Sequence, residues 1–472
     1  VAIIGDIADG LTRGVESTVK TVSEIVFEPV VRLGVTGLAR SGKTVFITSL
    51  VANLIARGRM PALRAAAEGR IEAAWLQPQP DDTVPRFDYE HHLAAMTGQG
   101  AHWPESTTGI SELRLSFRVR PSGLLAGLTG PSTVHLDIVD YPGEWLLDLS
   151  LLDKSYREWS DETLKRFGAR PSGKRYRDAL ATVDPAAKLA EPAAKTLAEA
   201  WTATLAGARQ AGLSDCTPGR FLLPGDLKGS PVLTFSPLPP GDAPRGSLAR
   251  EFERRFEAYK REVVRPFFRE HFARIDRQVV LVDMLGAIHA GPAAVEDMRT
   301  ALAGILSAFR PGRNAFLSQI FLGKRVEKIL FAATKADHLH HVQHAALTAI
   351  AQAVLEDAKS RADFAGAKTE AMSIAALRTT TEDRVERDGR TLDLVRGVLL
   401  DTGKPAAMYP GRLPEDPAKL LHPARQGAER WLDADYSVAG FAPREVTLKP
   451  GEGPPHIRLD RAAEFLIGDR LR

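Results

Sequence analysis

The stretch Gly37-Leu38-Ala39-Arg40-Ser41-Gly42-Lys43-Thr44 constrains this chain more than any other, because a GxxxxGK[ST] loop binds phosphate only when a strand feeds it and a helix leaves it. Both flanks are legible. Val30 to Thr36 is rich in β-branched residues and predicts a buried strand, and Val45 to Ile55 predicts a helix with a broad apolar face. Glycines at the loop ends let backbone N–H groups turn onto phosphate oxygens, and the helix N-terminus adds partial positive charge. In that geometry Lys43 reaches the β- and γ-phosphates, Thr44 offers its hydroxyl to Mg²⁺, and Gly37 through Val45 form the cradle.

Two further strand ends narrow the ligand. Thr133 to Asp140 predicts an apolar strand that closes in Asp140-Tyr141-Pro142-Gly143, a DxxG sequence. An aspartate at the carboxyl end of a central strand can hold Mg²⁺ through water, and the N–H of Gly143 can meet the γ-phosphate. The same residue types also make ordinary strand-to-turn junctions. Lys328 to Ala333 predicts another strand, followed by Thr334-Lys335-Ala336-Asp337, which fits [NT]KxD. There the lysine stem covers a purine face, and the Asp337 carboxylate accepts two donors from the guanine edge. Adenine has no such donor pair, so the carboxylate would be left unpaired against the wrong base.

The order of these motifs resembles the GTPase branch of the P-loop NTPases. That resemblance assigns Ala375-Ala376-Leu377, after a strand over 370–374, to the loop backing the guanine. It also looks for a switch threonine near Mg²⁺ and γ-phosphate just before the strand 111–119, which can pair in a hairpin with 133–140; of Thr107 and Thr108, Thr108 is preferred. GLARSGKT near the N-terminus, DYPGEW after a long spacer, a helical stretch, TKAD, and the C-terminal Pro455 to Leu471 together resemble the YcjX family of bacterial GTPase-like proteins over nearly the whole chain. The resemblance implies a G domain with a helical insertion, guanine-nucleotide binding, and a link to stress responses.

Two residues depart from the common GTPase pattern. Glu144 follows DxxG where many relatives carry a water-orienting glutamine or histidine; a carboxylate beside the γ-phosphate predicts slow hydrolysis. Arg40 inside the phosphate loop either stabilises charge in cis or pairs with an acidic switch residue. Glu144, Lys43 and Arg40 are therefore the candidate catalytic residues. The expected function is a slow GTP/GDP switch, with a low-turnover scaffold and a P-loop kinase as alternatives. The arginines between Arg250 and Arg274 alternate with glutamates and read as a solvated face rather than a kinase lid.

The expected fold is α/β, a P-loop NTPase with a mostly parallel sheet flanked by helices plus a helical insertion. The expected layout is an amphipathic helix over 1–29, a G domain over 30–145 and 276–400, an insertion over 146–275, and a C-terminal extension over 401–472 packed on the G domain. A 472-residue chain with 44% hydrophobic residues can bury more than one core. Its single cysteine, Cys216, fits a reducing compartment, and a net charge of +3 without a basic patch argues against nucleic acid. Without an apolar run that spans a bilayer, the expectation is cytoplasmic, with contact at the inner membrane through the N-terminal helix less favoured than docking of that helix on its own domain.

The 146–275 segment follows the second switch directly, so its orientation can respond to the γ-phosphate, and it is the expected effector surface. Within it, Pro266 is expected to kink or divide a helix running from Leu248 to Ile275. Arg59 to Ala101 reads as a helix and then an extended switch loop. His340 and His344 share a helical face, which suggests a metal only weakly because no partner stands at a recognised spacing and such histidines are usually solvated.

Overall fold

A computed structural model of the chain describes residues 28–472 except 39, 106, 108, 123–129, 169, 272–273, 308–325, 365, 388 and 432–435. The expected N-terminal helix, Ala39 and Thr108 thus lie outside the described residues, the helix through residue 27.

Seven strands form the main sheet: β1 (Val30–Gly37), β2 (Ile71–Gln77), β3 (Ser111–Val119), β4 (Ser132–Asp140), β5 (Arg277–Val282), β6 (Lys328–Ala333) and β7 (Lys368–Ser373). Their order is β2-β3-β4-β1-β5-β6-β7. β4, β1, β5, β6 and β7 run parallel, while β2 and β3 add antiparallel at one edge. This is the P-loop α/β fold.

Because both faces of the parallel strands are covered, successive side chains enter opposite cores. Val279 and Leu281 of β5, with Leu330 and Ala332 of β6, join the core under the helix Lys43–Ala56 and the C-terminal helix Leu459–Ile467. Their neighbours Val280, Val282, Phe331 and Ala333 join the core on the other face. The C-terminal helix is tied to the start of the inner strand β5 by fully buried Arg277, which donates to Leu466 O at 2.9 Å and meets Asp469 at 3.0 Å.

The second core continues without a break into the helical segment between β4 and β5. It contains the helices Tyr156–Gly168, Glu191–Gln210 and Leu248–Tyr259. Trp159 stacks on Phe256 with ring centroids 5.1 Å apart and meets Phe235 edge-on at 5.6 Å. The α-helix from Leu248 ends at Tyr259, so the helical stretch is divided ahead of Pro266. One turn of π-helix at Lys260–Val264 precedes it, and Pro266 falls in the first turn of the helix Arg265–Glu270, where a missing N–H is tolerated.

Two expectations change. The stretch after Arg59 carries the edge strand β2 and the helix Tyr89–Thr97, capped by Asp88, rather than one helix and an extended loop. After β7 the chain forms a separate antiparallel sheet, β8 (Thr381–Arg387), β9 (Arg390–Val398) and β10 (Pro405–Met408), which the sequence pattern did not announce.

Candidate functional site

β1 is flanked by parallel strands on both sides, so the loop after it opens at the carboxyl edge of the sheet, where such folds bind ligands. Gly42 adopts φ +79°, a left-handed conformation that costs glycine little, and it starts the helix Lys43–Ala56 with no side-chain cap and no acidic residue in the first turn. The first-turn N–H groups are thereby left for an anion.

Around this loop lies a cavity of about 370 Å³. Its wall holds Gly37, Leu38, Arg40, Ser41, Gly42, Lys43, Thr44 and Val45 at one end, and Thr334, Lys335, Asp337, Ala375, Ala376 and Leu377 at the other. Residues from loops after β1, β6 and β7 thus converge on one space.

Behind the Lys43 end of the cavity sits Asp140, its side chain only 2% exposed, with Lys43 Nζ 3.9 Å from Oδ1. Thr107 donates to Asp140 Oδ2 at 2.8 Å, and its Oγ1 lies 3.4 Å from that of Thr44. The β3–β4 register explains this contact, because pairing Ser111 with Asp140 brings the residues just before β3 beside the carboxylate. Thr107 is therefore the threonine described in the site. Burial pushes the Asp140 carboxyl up, against the pull of Lys43 and the Thr107 hydrogen bond. Its Oδ1 has no hydrogen-bond partner among the described residues, nor does the buried Ser41 Oγ. An orphaned buried carboxylate oxygen beside two threonine hydroxyls fits a hard divalent cation, which takes oxygen ligands.

Gly143 lies behind the wall rather than on it. A Cβ built there would stand 1.9 Å from Gly37 O, so the DxxG turn passes against the start of the loop Gly37–Thr44. Glu144, next in sequence, is buried and reaches the cavity, but its Oε1 is held 2.9 Å from Nη2 of Arg209, on the last turn of the helix Glu191–Gln210. Arg40 is exposed, takes φ +63°, and lines the cavity.

At the other end, Asp337 Oδ2 accepts from Thr379 N at 2.9 Å and from Thr379 Oγ1 at 2.8 Å. Two donors on one oxygen fix the carboxylate plane and leave Oδ1 for a ligand edge. Lys335, at φ +61°, is ion-paired with Asp283, which caps the helix Met284–Ala290. This partner gives Asp283 a role that its spacing does not reveal.

Several wall residues carried no motif. Trp103 donates its indole N–H to Phe441 O at 2.8 Å, and Phe441 meets buried His338 edge-on at 5.1 Å. Burial pushes the His338 imidazole down, which favours its neutral form. Only the long-range meeting of residues near 103, 379 and 441 creates this part of the wall.

The histidine pair does not form as the spacing suggested. His344 is buried, and its Nε2 faces Ala336 O at 2.8 Å. His340 is also buried and instead joins His341 and Glu382, whose possible ligand atoms lie within 4.8 Å of one another. Arg378 at 3.6 Å from Glu382, and Arg384 at 2.7 Å from the neighbouring Asp393, already balance those carboxylates.

A family profile matches residues 31–471. The chain belongs to the YcjX-like family, DUF463. It is 38% identical over 457 residues to a protein of Escherichia coli (strain K12), covering 93% of this chain and 96% of the relative. It is 36% identical over 467 residues to one of Shewanella oneidensis MR-1, covering 93% and 94%. Both relatives are named Ras-like GTPase YcjX. Among the described residues, no helix is long and apolar enough to cross a membrane.

Proposed function

We propose that the chain binds GTP and GDP with Mg²⁺ and acts as a switch that hydrolyses GTP slowly. One observation carries this: Lys43 and Asp337, from loops after β1 and β6, face a single cavity of about 370 Å³. The relatives' names support the same reading.

In this reading the N–H groups of Gly42 to Thr44 and the Lys43 ammonium bind the phosphates, and Asp337, oriented by Thr379, selects guanine by accepting from N1–H and the 2-amino group. Thr44, with Asp140 behind it, would hold Mg²⁺, which when bound neutralises charge between β- and γ-phosphates. Glu144 would orient the attacking water. Its ion pair with Arg209 engages the carboxylate elsewhere and favours slow turnover. The reading carries an aqueous, cytoplasmic setting and an effector met through the helical segment after Trp145.

Calorimetric titration with GDP, a GTP analogue, ADP and an ATP analogue, each with Mg²⁺, tests base choice and phosphate state together. Binding of guanine nucleotides alone is expected. Equal binding of ATP analogue and GTP analogue removes the guanine assignment.

A further inference from the structure

Besides Glu144, in the short helix Gly143–Leu147 that follows DxxG, Arg209 is the one cavity-wall residue among the described residues that comes from the helices between β4 and β5. Some arginines of that segment pair with near neighbours in sequence, as Arg250 with Glu253 and Arg254 with Glu251, and others join distant elements away from the cavity, as Arg166 with Asp215, Arg170 with Asp297 and Arg255 with Glu191. Arg209 instead crosses to Glu144, directly after the DxxG glycine.

Its position is built. Leu197, Trp201, Leu205 and Ala208 are buried along its helix. Gly212, at φ +85°, ends that helix through its N–H to Arg209 O at 3.1 Å, and Leu213 N donates to Ala208 O at 3.0 Å. A guanidinium side chain, 26% exposed, is thus delivered to the phosphate end by a rigid element.

Resting on the guanine-nucleotide reading above, we propose that Arg209 is a catalytic arginine supplied in cis by the insertion and stored on Glu144 until a γ-phosphate arrives. A planar guanidinium pairs with a carboxylate or a phosphoryl group through the same fork of donors, so one can replace the other without stranding the cation. Transfer of Arg209 to the γ-phosphoryl oxygens opposes the charge that grows there in the transition state, and it frees Glu144 to orient water. In the step itself, water oxygen bonds to the γ-phosphorus while the bond from that phosphorus to the β–γ bridging oxygen breaks. The electron pair stays on GDP. Of the two water protons, one remains on hydrogen phosphate and the other passes to solvent.

The same geometry makes the insertion a regulator of turnover. Its loop seats on the second switch through Gly219 N to Asp148 Oδ1 at 2.7 Å and Trp145 Nε1 to Leu223 O at 3.1 Å. Any tilt of the insertion therefore moves Arg209 relative to Glu144.

The test compares full-length wild type, Arg209→Ala and Arg209→Lys in three measurements: GDP affinity by fluorescent-nucleotide titration, single-turnover GTP hydrolysis, and capture of aluminium fluoride on bound GDP. Arg209→Ala should keep GDP affinity within about threefold, slow hydrolysis by at least about 100-fold and abolish aluminium-fluoride capture, as loss of a transition-state arginine does. Arg209→Lys keeps charge without the fork and should fall between; if the alanine variant does not fold, this variant carries the same three readouts. Hydrolysis and capture at wild-type levels in either variant overturn the proposal. So does a wild type that binds GDP but neither turns over GTP nor captures aluminium fluoride, an outcome that leaves nucleotide binding intact. A wild type that binds no guanine nucleotide overturns both readings.

Discussion

Replacing Lys43 by alanine should damage the nucleotide-free protein as well as its ligand binding. Lys43 Nζ stands 3.9 Å from Asp140 Oδ1, with the two side chains 10% and 2% exposed. At an effective dielectric near 20, such a separation corresponds to about 4 kcal/mol, and stranding one member of a buried pair costs about 3–5 kcal/mol. Protonation sets a ceiling on that loss. Burial already raises the Asp140 carboxyl, and without the ammonium it rises further, so the acid can neutralise instead of remaining an unpaired anion.

The expected loss therefore does not exceed about 3–5 kcal/mol. Its pH dependence has a definite sign. A carboxyl whose folded pKa is raised binds its proton more tightly when folded, so the penalty disappears as pH falls toward the unfolded value and is complete once pH rises through the folded one. Adding Asp140→Asn removes the charge that Lys43 balances. The double variant should recover most of the lost stability in urea unfolding, yet still bind GDP at least about tenfold more weakly than wild type. A double variant as unstable as Lys43→Ala would refute the buried-pair argument; wild-type GDP affinity in Lys43→Ala would refute the phosphate-loop assignment.

Asp148, which accepts from Gly219 N at 2.7 Å and Tyr259 OH at 2.5 Å, has its carboxyl pushed up to about 7 by burial. Wild-type stability should fall by up to about 4 kcal/mol as pH rises from about 4 to about 7 through this group, and Asp148→Asn should flatten that part of a urea-unfolding pH series; an unchanged slope rejects the argument. In Asp337→Asn, the two Thr379 donors would keep the amide oxygen where Oδ2 now lies and turn the NH₂ toward the cavity. GTP affinity should drop by about 100-fold while xanthosine triphosphate gains, measured by calorimetry; no gain for xanthine rejects the amide orientation. Gly143→Ala would push a methyl into Gly37 O, so GDP and GTP-analogue affinities should fall together by at least about tenfold in a fluorescent-nucleotide titration. Loss of γ-phosphate discrimination with GDP binding intact would show that Gly143 acts on the γ-phosphate alone.

The phosphate-loop motif was legible because it is local: eight consecutive residues set a turn, and the flanks set a strand and a helix. Thr334 to Asp337 was legible for the same reason, as the end of an apolar strand. Thr379, Trp103, Phe441 and Arg209 were not, because each is ordinary in its own neighbourhood and gains a role only through contacts with distant segments. β8 escaped notice for another reason. It is largely exposed, so it lacks the apolar alternation that marks a half-buried strand, and cross-strand pairs such as Arg384 with Asp393 at 2.7 Å and Arg396 with Asp383 at 2.5 Å support it instead. His344 shows the converse error, in which a helical spacing pointed to a shared face while the ring turned inward to the carbonyl of Ala336.

The helical segment between β4 and β5 is bound to the DxxG turn by packing as much as by polar contacts. Trp145 is 4% exposed, meets Phe267 edge-on at 5.6 Å, and lies under the Arg220 guanidinium at 3.2 Å from the ring centre. Tyr141, between Asp140 and the DxxG glycine, also meets Phe267, at 5.9 Å. On the other side, a Cβ at Gly219 would stand 2.0 Å from Glu144 O, so the loop at Gly219 approaches the backbone after DxxG as closely as a glycine allows. A displacement of Gly143 or Glu144 cannot be absorbed by a loose connection at these contacts, because close-packed interiors pass strain to their neighbours rather than deform freely. A displacement there is therefore expected to reach the helices that carry Trp159, Trp201 and Arg209, which share one continuous apolar core with Trp145.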